Sequence, residues 1–126
     1  MRGLRRIRPA VSSVIICTLH RPAFLRKCLE AVAALNPAAD EILVVDNTQA
    51  DREAQAIARS FSARYIVEPT TGLSHARNRG LAESKTDIVA YIDDDAAPNQ
   101  DWLGLLLGPF EDSQVAVVTG NCSSSI

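Results

Sequence analysis

The chain has 126 residues, 47% of them hydrophobic and 22% charged, which suits one soluble globular domain with a real core. Its net charge of −2 is unevenly spread: Arg2, Arg5, Arg6 and Arg8 hold four of the thirteen basic residues, and no basic, aromatic-interleaved patch follows them, which argues against nucleic acid as a partner. The three cysteines (Cys17, Cys28 and Cys122) lack metal-ligand spacing and fit a reducing, cytoplasmic setting, and no apolar run is long enough to span a bilayer.

Residues 1–10 read as a flexible basic arm. A solvated tail is the preferred reading; the alternative is contact with anionic lipid, a peripheral association on the cytoplasmic face. The apolar stretch after the arginines imitates a secretory signal, but the small-residue cleavage site is missing. Residues 11–126 form the expected domain.

Residues 11–18 read as a first strand around Val14, Ile15 and Ile16, with Cys17 in the core. A turn over residues 18–21 leads to Pro22, well suited to a helix N1 position. Phe24, Leu25, Cys28, Leu29, Val32 and Leu35 then recur at helical spacing, and Asn36-Pro37 ends the helix. A second strand, residues 41–46, finishes on Asp46. Asp51 is a good N-cap for a second helix, whose buried side holds Ala54, Ile57, Ala58 and Phe61.

Residues 64–68 make a short third strand, and residues 69–72 a turn. Ser74 is the expected cap of a third helix reaching residue 85, with a weak apolar stripe of Ala76, Leu81 and Ala82. The run Ile88-Val89-Ala90-Tyr91-Ile92 reads as a strand buried on both faces, stopped by Asp93-Asp94-Asp95. Asn99 or Asp101 opens a fourth helix bearing Trp102, Leu103, Leu106 and Leu107, and residues 115–119 form a fifth strand. Strands alternating with helices predict an α/β fold: a Rossmann-like parallel sheet covered on both faces, with right-handed crossovers.

Ligands of such sheets bind outside the carboxyl ends of the strands. The turn at residues 18–21, Asp46 and Asp93 to Asp95 all lie there. Adjacent anions about 4 Å apart repel by ~1 kcal/mol in water and ~4 kcal/mol near a protein surface, so three in a row at a strand end favour a cation site over a solvated turn. Hard divalent cations such as Mg²⁺ or Mn²⁺ take carboxylate oxygens and bridge to phosphates. In an extended chain Asp93 and Asp95 would face one way and Asp94 the other. Asp46 alone reads equally as a turn former. Arg77, early in its helix, opposes the macrodipole and so suggests pairing with phosphate or with the aspartates, whereas Arg79 reads as a solvated residue and His75 as a surface or packing one.

Four stretches together resemble the successive signatures of family 2 glycosyltransferases: Ser13-Val14-Ile15-Ile16-Cys17-Thr18-Leu19-His20-Arg21-Pro22, Glu41-Ile42-Leu43-Val44-Val45-Asp46-Asn47, Gly72-Leu73-Ser74-His75-Ala76-Arg77-Asn78 and Ala90-Tyr91-Ile92-Asp93-Asp94-Asp95. The resemblance covers residues 13–120 and implies the nucleotide-diphospho-sugar transferase fold called GT-A. It implies that Thr18 and Arg21 line the nucleotide pocket, that Asp46 contacts base or ribose, and that Arg77 lies near the diphosphate. Asp93 to Asp95 match the family's Asp-x-Asp motif, with Asp95 on the metal and Asp93 or Asp94 reaching the ribose or the metal's waters. The expected cofactor is Mg²⁺ or Mn²⁺, and the expected donor a nucleotide-diphospho-sugar. His20 stands where the family often has Asn, and Asn47 where a second acid is common.

The family's general base lies well downstream of the Asp-x-Asp motif, and Glu111 and Asp112 are too close to serve. The chain therefore reads as the donor-binding half of an inverting, metal-dependent transferase, incomplete at the C-terminal end of its sheet and unable to transfer sugar alone. The alternative is an inactive nucleotide-binding fragment or interaction module. A phosphoryl-accepting receiver domain is a further rival, but it needs a Lys at a later strand end, where Thr119-Gly120-Asn121 has none.

Overall fold

In the computed structural model of the chain, residues 12–108 are described. They form β1 (Ser12–Thr18), α1 (Pro22–Ala33), β2 (Glu41–Asp46), α2 (Arg52–Ser60), β3 (Arg64–Val67), α3 (Leu73–Glu83), β4 (Ile88–Asp93) and α4 (Trp102–Leu107). The four strands make one parallel sheet in the order β3-β2-β1-β4. The predicted fifth strand, residues 115–119, lies outside the described residues.

The strand order explains where the helices go. From β1 to β3 the chain steps in one direction, and from β3 to β4 it reverses across β2 and β1. Right-handed crossovers put helices of opposite stepping direction on opposite faces. Accordingly α1 and α2 share one face, where α4 also packs, and Leu25, Leu29, Val32, Ile57 and Leu103 bury Val14, Ile16, Val44 and Ile92. On the other face α3 packs against β1 and β2, with Ala76 against Ile15, Leu43, Val45 and Ile66.

Local chemistry sets the element ends. Pro22 starts α1, and the Asp51 carboxylate caps α2 by accepting from the Glu53 and Ala54 amides at 2.9 and 3.3 Å. Helix α1 ends at Ala33, two residues short of the predicted Leu35, which stays buried beyond it.

Three expectations are corrected. The N-cap of α3 is Gly72, not Ser74, because its φ of 141° makes a turn that side chains rarely adopt. The buried side of α3 is Ala76 and Gly80, while Leu81 and Ala82 face outward. A Cβ on Gly80 would stand 2.7 Å from Ile15 Cγ2, so only small residues let α3 approach the sheet this closely. Finally, Phe24 is half-exposed and Cys17 only partly buried, since both sit at the carboxyl edge where the core opens.

The sheet reverses its winding between β1 and β4. This is the switch point at which open α/β sheets form a ligand crevice. Thr18, at the end of β1, pairs in register with Asp46 of β2, and its neighbour Cys17 pairs with Asp93 of β4.

Candidate functional site

At this crevice four predicted residues come together. The Thr18 hydroxyl donates to Asp94 Oδ2 at 2.9 Å, within buried surroundings. The Arg21 guanidinium spans two carboxylates, 3.5 Å from Asp94 and 3.3 Å from Asp95. It also lies over the Phe24 ring, 4.6 Å from its centroid, which gives the exposed Phe24 a task that its helical spacing did not suggest.

The three aspartates are not equivalent. Strand β4 stops at Asp93, and the Ala96 amide donates to the Asp93 carbonyl at 3.1 Å, closing a turn. Asp94 is only 5% exposed, whereas Asp93 and Asp95 are open to solvent. The chain turns after Asp93 and carries Asp95 to the guanidinium that also meets Asp94, while Asp94 alone is buried, so the three carboxylates divide into one inward and two outward. Burial raises the Asp94 carboxyl above the ordinary carboxylate range; the Thr18 hydrogen bond and the Arg21 charge oppose this, and Asp95 and Asp93 reinforce it.

Arg77 stands on the other face of the same edge. Its guanidinium lies 5.8 Å from the Tyr91 ring centroid, and the Tyr91 hydroxyl donates to its carbonyl at 3.2 Å. Burial pushes the Cys17 thiol up to about 11, against the opposing charge of Arg77. Arg79, expected to be merely solvated, instead pairs with Glu68 at 3.4 Å and Glu83 at 3.3 Å.

Asp46 lies at the same edge but is turned inward. It is fully buried, and its carboxylate accepts from the Thr48 hydroxyl at 2.9 Å and from the Tyr65 hydroxyl. Burial and then the bond to Asp46 push the Tyr65 phenol up to about 12. Tyr65 in turn accepts from the Asp51 amide at 3.0 Å, so Asp46 fixes the loop between β2 and α2.

Asn47 is a site-shaping residue whose work the sequence did not disclose. Its amide nitrogen donates to the carbonyls of Glu68 and Thr70, both at 2.8 Å, and its oxygen accepts from the Gly72 amide at 2.9 Å. It thereby clamps the turn that launches α3 and Arg77. The available signal was an amide residue directly after a strand-terminal Asp. His20 has φ of 53°, a left-handed conformation in which His, like Asn, is enriched.

Asp95 offers a half-exposed carboxylate, the oxygen donor that hard divalent cations take, and the Arg21 guanidinium lies against it. No group of three or more His, Cys, Asp or Glu side chains converges among the described residues, so a cation held here would depend on one or two carboxylates and the substrate.

Comparison with known proteins places this arrangement. The chain matches glycosyl transferase family 2 over residues 13–125, and it belongs to that family. It is 35% identical over 117 residues to the glycosyltransferase AglE of Haloferax volcanii, covering 86% of this chain and 38% of the relative. It is 33% identical over 114 residues to the succinoglycan biosynthesis protein ExoM of Rhizobium meliloti, covering 83% and 36%. Among solved structures it resembles the glucosyl-3-phosphoglycerate synthase of Mycobacterium tuberculosis in complex with Mn²⁺, UDP and phosphoglyceric acid. That likeness has a TM-score of 0.69 and 26% identity, and covers 82% of this chain and 39% of the synthase. The same synthase has also been solved with Mg²⁺ and UDP. The chain thus spans about two-fifths of the length of these relatives. The parallel sheet flanked by helices is the fold these structures share with it.

Proposed function

We propose that this chain carries the donor-binding part of a glycosyltransferase that transfers a sugar from a nucleotide-diphosphate donor to an acceptor hydroxyl with inversion. The observation that carries this reading is the meeting of Thr18, Arg21, Asp94 and Asp95 at the crevice between β1 and β4. Thr18 holds Asp94 in place, and Asp95 presents a carboxylate where a Mg²⁺ or Mn²⁺ ion would neutralise the leaving diphosphate.

Arg21 and Arg77 approach from opposite faces and are assigned to the phosphates. Asp93, on the open side of the turn, is assigned to the ribose. Asp46 serves the nucleoside end of the pocket through the loop it fixes. The acceptor and the carboxylate that deprotonates it are assigned to sequence that the relatives carry outside the aligned region. Sparse cysteine supports a cytoplasmic setting. Among the described residues no helix is long and apolar enough to cross a membrane.

The test is a thermal-shift panel of nucleoside diphosphates with and without Mn²⁺. The reading expects at least one to stabilise the protein only when Mn²⁺ is present. A panel without any such response would contradict it.

A further inference from the structure

Arg21 and Arg79 are both held more loosely than Arg64, Arg79 by Glu68 at 3.4 Å and Glu83 at 3.3 Å, and Arg21 is the one that stands at the acidic turn. Arg64 is locked at the amino end of the strands by Glu41 at 3.0 Å, Glu83 at 2.7 Å and the Glu83 carbonyl at 2.9 Å. Arg21 makes one longer contact to each of two carboxylates, at 3.5 and 3.3 Å, and its side chain is 42% exposed. Such pairs contribute little to stability. Yet its charge is kept at the acidic turn, because Phe24 supports the guanidinium from α1.

A loosely paired cation beside three consecutive carboxylates balances their repulsion. It also occupies Asp95, the more accessible of the two carboxylates it touches. A second cation arriving there meets a positive charge within a few ångströms. An arriving diphosphate attracts that same charge away.

Resting on the donor-site reading above, we propose that Arg21 is the resident counter-charge of the Asp93 to Asp95 turn. It yields Asp95 when a divalent cation binds and turns to the diphosphate. Cation and diphosphate binding are thereby coupled through this one side chain. Arg21 moves about the short loop between Thr18 and Pro22, and no backbone rearrangement is needed. Asp94 stays behind, still held by Thr18, so the turn keeps its shape through the exchange.

The inference predicts opposite effects on two binding steps. Mn²⁺ binding without nucleotide is measured from the loss of the free-ion electron paramagnetic resonance signal, for wild type, Arg21→Gln and Arg21→Lys. UDP binding at saturating Mn²⁺, with GDP in parallel, is measured by calorimetry. Arg21→Gln should bind Mn²⁺ alone about tenfold more tightly and the nucleotide about tenfold more weakly, a coupling of ordinary size for two interacting sites. Arg21→Lys keeps the charge and should leave Mn²⁺ affinity close to wild type.

If Arg21→Gln binds Mn²⁺ no more tightly than wild type while wild type binds both ligands, the counter-charge role is overturned and the donor site stands. If wild type takes up neither Mn²⁺ nor nucleotide in any combination, the donor-site reading itself fails, and this inference with it.

Discussion

Thr18 Oγ1 and Asp94 Oδ2 are 2.9 Å apart and join residues 76 positions apart in the chain. Their bond ties the end of β1 to the turn after β4, across the switch point of the sheet. Removing the hydroxyl leaves a buried carboxylate without its neutral donor, which costs about 1–3 kcal/mol. Thr18→Val should therefore lower unfolding free energy by about that amount, whereas Thr18→Ser should retain most of it. Urea titration of the three proteins measures this; equal midpoints would show that the bond carries no weight.

Asn47 predicts a second, separate loss. Its amide donates to two carbonyls, and a carboxylate has no hydrogen to donate to either. Asn47→Asp, though nearly isosteric, should destabilise this chain by about 1–3 kcal/mol. Amide exchange of the residues in the 68–72 turn should speed up at the same time. Unchanged exchange would mean that the turn holds itself.

Gly80 tests the packing of α3. With Ile15 Cγ2 only 2.7 Å from where a Cβ would stand, Gly80→Ala forces α3 or Ile15 to shift, at a cost of about 1–3 kcal/mol. Among the described residues nothing lies within 4 Å of the same atom built on Gly108, so Gly108→Ala should be tolerated. Melting temperatures of the two variants should thus move differently. A stabilised Gly80→Ala would show that α3 does not press against Ile15.

Glu41 gives the pH dependence of stability. Burial alone would raise its carboxyl, but the Ser13 hydroxyl, the Lys85 amide and the Arg64 guanidinium outweigh it and hold the group below its ordinary range. A depressed carboxyl contributes stability above its unfolded pKa and loses it as pH falls through the folded value. Stability should therefore decline on acidification below about pH 4.3, the ordinary glutamate value, and Glu41→Gln should flatten that limb. Denaturant midpoints between pH 7 and pH 3 read the difference. Parallel curves for the two proteins would remove Glu41 from the account.

The strands and the carboxyl-edge site were legible because their signals are local. Ile42 to Val45 and Ile88 to Ile92 are apolar runs closed by carboxylates, and strand alternation alone implies a shared edge, although β4 is buried on one face only and not on both as expected, with Val89 partly buried and Tyr91 exposed. What escaped was whatever depends on partners distant in sequence. Phe24 sits at core spacing but lies under Arg21, because α1 begins at the open edge of the sheet. Asp46 reads equally as a ligand contact or a turn former, and only its partners decide, because Tyr65 and Thr48 take its oxygens. Gly80 has no side chain to signal burial, and it packs so close to Ile15 that a Cβ there would clash. The α3 cap was misplaced because Ser74 offers a hydroxyl, while a positive φ at Gly72 leaves no trace but glycine itself.

The central claim is that Asp95 presents a divalent cation to a diphosphate at the crevice between β1 and β4. Calorimetric titration of UDP into wild type and Asp95→Ala, each with Mn²⁺ and with chelator, tests it most directly. Wild type should bind appreciably only with Mn²⁺, and Asp95→Ala should lose that dependence. Equal affinity of wild type with and without chelator, or full Mn²⁺ dependence retained in Asp95→Ala, would contradict it.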